Sequence, residues 1–101
     1  MGNVVTGNPW ILDTAATIKT KGNVVRVKKM VFYASAASDD VKVTDGAGNP
    51  VWQCRAASAG TNYEDYAGVE VTWGDEPLVM NGFVVETIDG AGSAELWVYL
   101  V

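Results

Sequence analysis

Few residues in this chain are equipped for chemistry, and their types narrow the options at once. There is no histidine, which removes the commonest general base and the commonest zinc ligand together. The single cysteine, Cys54, allows neither an internal disulfide nor a thiolate metal cluster. Ser-His-Asp and Cys-His nucleophilic pairs are therefore impossible. Cys54 sits in a strand-like run, Val51-Trp52-Gln53-Cys54-Arg55, with no cationic pocket in the sequence around it to lower its pKa. It reads as a small apolar packing residue. Carboxylate chemistry survives this sieve. Glu64-Asp65 and Asp75-Glu76 are the raw material for an acid–base pair of the glycoside-hydrolase kind. Neighbours on a strand point to opposite faces, and both pairs adjoin turn residues, so they read as solvated loop charge. The tetrapeptide Asp-Gly-Ala-Gly occurs at 45–48 and again at 89–92. Each copy offers one carboxylate, with Asn49 added to the first, whereas a calcium loop needs several oxygen ligands at set spacings. Two tight turns built from the same turn residues account for it. No catalytic residue, cofactor or metal ligand is assigned, and the expectation is a protein that is not an enzyme.

The elements that carry these residues are strands. No stretch repeats apolar residues at helical spacing over eleven or more positions. Short runs rich in Val, Ile, Thr, Trp and Tyr alternate instead with Gly, Asn, Asp and Ser, the texture of an all-β sandwich or barrel. The expected strands are 10–13, 16–19, 23–33, 40–44, 51–56, a weak 62–66, 69–73, 78–88 and 96–101. Lys28-Lys29 breaks the alternation of Val25 and Val27 against Arg26 and Lys28, which predicts a β-bulge. Residues 45–50 predict a hairpin tip, and Asn81-Gly82 marks an interruption within the long strand around it. Seven to nine short strands in 101 residues predict one antiparallel β-sandwich domain over 1–101, jelly-roll-like, with 1–9 as an N-terminal arm.

Charge limits the partners. Seven basic residues against twelve acidic ones give a net charge of −5, which argues against nucleic acid as the ligand, since phosphate binding draws on clustered Lys and Arg. The basic residues gather early, at Lys19, Lys21, Arg26, Lys28 and Lys29, and the acids later, a split that steers charged partners. No run approaches the roughly 20 apolar residues of a membrane span, and residues 1–9 lack the pattern of a signal peptide. The expectation is a protein made in the cytoplasm, with no membrane partner.

The final run, Leu96-Trp97-Val98-Tyr99-Leu100-Val101, is apolar on both of its faces. Leu96, Val98 and Leu100 fill a core, and Trp97, Tyr99 and Val101 then need a cover of their own. Exposed apolar patches mark interaction sites, so this ending points to assembly. Trp97, Tyr99 and Val101, with Trp10 and Ile11, are the candidate self-association residues. The other aromatics serve core, interface or ligand contact, and Trp52 or Trp73 on a sandwich face is the arrangement a carbohydrate-binding module would use.

Several motifs carry a resemblance. Val5-Thr6-Gly7-Asn8-Pro9-Trp10-Ile11-Leu12-Asp13-Thr14, Val25-Arg26-Val27-Lys28-Lys29-Met30, the hairpin from Val43-Thr44-Asp45 to Asn49-Pro50-Val51-Trp52, the Asn81-Gly82-Phe83 corner and Ala94-Glu95-Leu96-Trp97-Val98-Tyr99-Leu100 are similar to a group of short virion structural proteins of tailed bacteriophages. The chain departs from that group at 63–77, where it is longer and more acidic. Within the group it looks most like a capsid decoration, or cement, protein. The resemblance implies a virion location on the capsid exterior and a homo-oligomer, a trimer before other orders. Its partner would be the major capsid protein of a phage head, touched through Arg26, Lys28 and Lys29. A neck, tail or baseplate position stays open beside it.

Overall fold

The computed structural model describes residues 2–34, 39–55, 69–89 and 94–101. Within them the fold is all-β and antiparallel, with no helix. Seven strands form one sheet: β1 Trp10–Leu12, β2 Ala16–Tyr33, β3 Asp40–Thr44, β4 Pro50–Arg55, β5 Val69–Thr72, β6 Leu78–Ile88 and β7 Glu95–Leu100. Their order is β1-β7-β2-β6-β3-β4, and β5 also pairs with β2. The weak strand expected at 62–66, the pair Glu64-Asp65 and the turn at 90–92 lie outside the described residues.

The strands expected at 16–19 and 23–33 are one strand of 18 residues. Its partner explains the merger. Lys19 pairs with Phe83 and Val24 with Asn81, so four residues of β2 stand against Gly82 alone. The surplus becomes a corner in a continuous strand, as at the bulges that bend sheets. Gly22 and Gly82 take φ of 102° and 84° there, values open to glycine and costly for other residues. The Asn81 side-chain oxygen accepts the Gly22 N–H. The β3–β4 turn packs into the same corner, with the Gly46 N–H donating to Asn81 O at 2.8 Å.

The expected bulge at Lys28-Lys29 is present, as a register shift between Val27 and Lys29 against β7. It re-phases the strand. Val25 and Val27 are buried before it, and Met30, Phe32 and Ala34 after it. A strict period of two would have put Lys29 in the core.

One apolar cluster joins the two ends of the sheet, with Trp10 and Leu12 from β1 and Val41 and Val43 from β3. The sheet must therefore curl. Trp10 and Phe83 stand three ladder steps apart, about 14 Å across a flat sheet at ~4.8 Å per step. Their ring centroids are 5.4 Å apart, edge to face, a geometry worth about 0.5–1.5 kcal/mol beyond the area it buries.

Residues 2–9, expected as an arm, are tied to this sheet. Val4 and Ile11 exchange backbone hydrogen bonds of 2.8 and 2.9 Å. The Asn3 side-chain oxygen accepts the N–H groups of Asp13 and Thr14, and its amide donates to Thr14 O. Asn8 precedes a cis peptide bond to Pro9. Its side chain grips Leu100 twice, donating to the carbonyl at 2.9 Å and accepting the N–H at 2.8 Å. In this way a side-chain amide extends the β7 ladder by one rung.

Candidate interaction surface

The bulge and the sheet order together build a second apolar layer on the face away from the core. Opposed residues on neighbouring strands share a face. Val4 opposes Ile11, Ile11 opposes Trp97, and Trp97 opposes Val31. On the far side of Val31 stands Glu70 of β5. Four apolar side chains from four backbone segments thus form one row across the sheet. Val31 is 2% exposed, although it belongs to no part of the core cluster. Its burial is the work of this outer layer.

The flanking rows are aromatic and charged. On one side Tyr33 opposes Glu95, and on the other Lys29 opposes Tyr99. The Tyr33 and Trp97 rings meet edge to face with centroids 5.4 Å apart. The Trp97 indole N–H donates to a Glu95 carboxylate oxygen at 3.4 Å. The Lys29 ammonium sits 4.7 Å from the Tyr99 ring centre, a cation–π pair of about 0.5–1 kcal/mol at a partly exposed site. Ile11, Trp97, Tyr99 and Tyr33 are each half-buried.

The expected self-association residues separate. Ile11, Trp97 and Tyr99 come together on the outer layer. Val101 is 74% exposed at the end of β7, with its N–H donating to Arg26 O. Trp10 is buried in the core against Phe83 and presents no surface. Its place follows from register, because Trp10 opposes Val98 on the inward face of β7. Sequence reasoning passed over Val31 and Val4. Val31 lies among inward residues, and only the position of the bulge reveals that it faces out.

The basic residues also divide. Arg26 and Lys28 are exposed, whereas Lys29 is half-buried under its contact with Tyr99. Lys28 lies at the bulge, where its carbonyl accepts the Trp73 N–H. Arg26 opposes Val79 of β6.

The other chemical candidates have structural occupations. Asp45 holds the β3–β4 turn: one oxygen accepts the N–H groups of Ala47 and Asn49, and the other the Asn49 side-chain amide. Those bonds from Asn49 foremost hold its carboxyl below the usual range. The Asp40 carboxylate receives the Arg55 guanidinium at 2.8 and 3.1 Å, directly across the β3–β4 ladder. That hydrogen bond lowers its pKa and raises that of Arg55. Burial, then the nearby Asp40 charge, pushes the Cys54 thiol up to about 11, away from nucleophilic character. Asp75 and Glu76 are exposed on the turn before β6. Trp52 and Trp73 lean on the core. Among the described residues no group of three or more Cys, Asp and Glu converges as a metal site would require, and no helix is long and apolar enough to cross a membrane.

Comparison with models of known protein families, with curated proteins and with solved structures finds no match to this chain.

Proposed function

We propose that this chain is a non-enzymatic structural protein that works by adhesion, and that its setting is the particle of a tailed bacteriophage, as a capsid decoration protein. The observation that carries the reading is the outer apolar row of Val4, Ile11, Trp97 and Val31, bordered by Tyr33 and Tyr99. Aromatic residues are the ones that protein interfaces enrich, because a rigid ring excludes much water at little entropic cost. The sequence motifs that resemble virion proteins hold the fold together: the Asn8-Pro9 grip on Leu100, the bulge after Val27 and the corner at Gly82. In this reading copies associate through the outer layer, a trimer first, and bridge neighbouring subunits of a phage head. Adhesion of this kind raises the force needed to part the lattice.

A jelly-roll-like sandwich is the architecture proposed for the curled sheet. Support comes from β2 and β6, which turn one corner together at Gly22 and Gly82, as strands do when they pass between packed layers. The area required is within reach. A standard interface takes about 800 Å² from each partner, roughly a seventh of the chain's 5388 Å² surface.

Sedimentation velocity at micromolar concentration, alone and with purified phage heads, tests the proposal. An oligomer that Trp97→Ser dissociates, together with cosedimentation with heads, is the expected result. A strictly monomeric protein that never travels with particles would end it.

A further inference from the structure

We propose that the edge of β2 at residues 23–26 is a docking groove for an acidic, extended segment of a partner protein, added as a strand in line with β7. β7 covers this edge of β2 from Tyr33 to Val27. The last contact along it is the Val101 N–H on Arg26 O, at 3.2 Å. A strand residue sends both of its backbone groups to one edge, and its neighbours send theirs to the other. Arg26 faces β7, so Val24 does too. The partner of Val24 on β6 agrees: Asn81 directs its carbonyl to the Gly46 N–H and away from Val24. The Val24 N–H and C=O therefore stand at an edge with no strand beyond it among the described residues.

A concavity of about 560 Å³ lies along this edge, with Trp10 and Val25 in its floor and Lys19, Val24, Arg26 and Val101 around it. Val24 and Val101 are 64% and 74% exposed, which gives an incoming strand apolar surface to cover.

Charge chooses the occupant. Lys19, Lys21, Arg26 and Lys28 are exposed, and none of them forms an ion pair among the described residues; the salt bridges there belong to Lys42 and Arg55. Four of the seven basic residues of a chain with net charge −5 are thus concentrated on one strand and left unneutralised. A second copy meeting this edge symmetrically would set those cations against each other, which is how lysines guard open edges. An acidic segment would neutralise them while its backbone completes the ladder and alternate side chains enter the groove. The site lies at the opposite end of β2 from Val31 and stands whether or not the outer layer mediates self-association.

The test titrates the full-length protein with two labelled eight-residue peptides, one alternating valine with glutamate and one alternating valine with lysine. The glutamate peptide is expected to bind at least about tenfold more tightly, with a preference that fades as salt rises. Binding should slow hydrogen exchange at the Val24 amide by about tenfold, since that N–H gains a partner. Val24→Pro, which deletes the donor, should weaken binding by about tenfold while Val24→Ile retains it. Equal binding of the two peptides, no saturation by either at about 1 mM, or unchanged exchange at Val24 would overturn the proposal. Should Val24→Pro fail to fold, the exchange measurement on the unaltered protein decides. Sedimentation of the same samples reports self-association separately, so failure of one reading leaves the other standing.

Discussion

The corner shared by β2, β6 and the β3–β4 turn can be dissected with three glycine substitutions. Gly22→Ala places a methyl where nothing lies within 4 Å, on a residue with φ of +102°. It isolates the backbone cost, about 1–2 kcal/mol for a side chain forced into left-handed conformation. Gly46→Ala isolates crowding, since its Cβ would lie 2.6 Å from both Cα and N of Lys21. These are backbone atoms that no rotamer change can move, and overpacking of this kind costs about 1–3 kcal/mol. Gly82→Ala combines both. Its φ is +84°, and its Cβ would meet Gly46 Cα at 2.8 Å and Lys19 O at 3.0 Å. The sum, about 2–5 kcal/mol, is a large share of the ~5–15 kcal/mol that holds a domain of this size. Equilibrium urea unfolding reads the series. With a slope of about 1.5 kcal/mol/M, a loss of ~3 kcal/mol lowers the midpoint by about 2 M. Gly82→Ala should be the most damaging and Gly22→Ala the mildest. A Gly22 variant as unstable as the Gly82 variant, or a Gly82 variant within about 1 kcal/mol of the unaltered protein, would refute the claim that three backbones meet tightly at this corner.

Asn8→Ala removes both hydrogen bonds to Leu100 and should cost about 1–2 kcal/mol in the same assay, with faster amide exchange at Leu100. Cys54 should alkylate about 100-fold more slowly in the fold than in the urea-unfolded chain at pH 8, because its thiol pKa moves from 9.0 to about 11 and only the thiolate reacts. Iodoacetamide kinetics followed by mass spectrometry check this. Asp40 and Asp45 both have carboxyl pKa values below the model value of 3.8, so their contribution is full above that value and lost as pH falls through the lowered values. Asp45→Asn should therefore flatten the acid limb of a thermal-stability profile between about pH 4 and 2, and an unchanged profile would contradict the turn-holding role of that carboxylate.

Much of the architecture could be read along the chain. Alternation at Val41 and Val43, turn residues at 45–49 and the misfit of Lys28-Lys29 all act over a few residues, and local backbone chemistry is enough to specify strands, a hairpin and a bulge. The same holds for what the chain lacks: without histidine, and with one cysteine, whole classes of catalysis are closed by composition. Gly22 looked like a break between two strands because a glycine between polar residues is locally indistinguishable from a turn. The side chain of Asn81, 59 positions away, makes it a corner inside one strand.

The interaction surface was half visible. Trp97 and Tyr99 were assigned outward by period-two alternation, and that geometry survives in the sheet. Trp10 was grouped with them by residue type and proximity to Ile11, yet register against Val98 turns it into the core. Val31 was missed for the converse reason: it sits between the inward residues Met30 and Phe32. Which side chains share a face is settled by pairing between segments as distant as Val4, Ile11, Val31 and Trp97, and by the curl that brings Trp10 onto Phe83. Composition and local pattern act through neighbours in the chain, so they determine strand, turn and bulge. Burial depends on neighbours in space, and those exist only once the sheet has closed on its core.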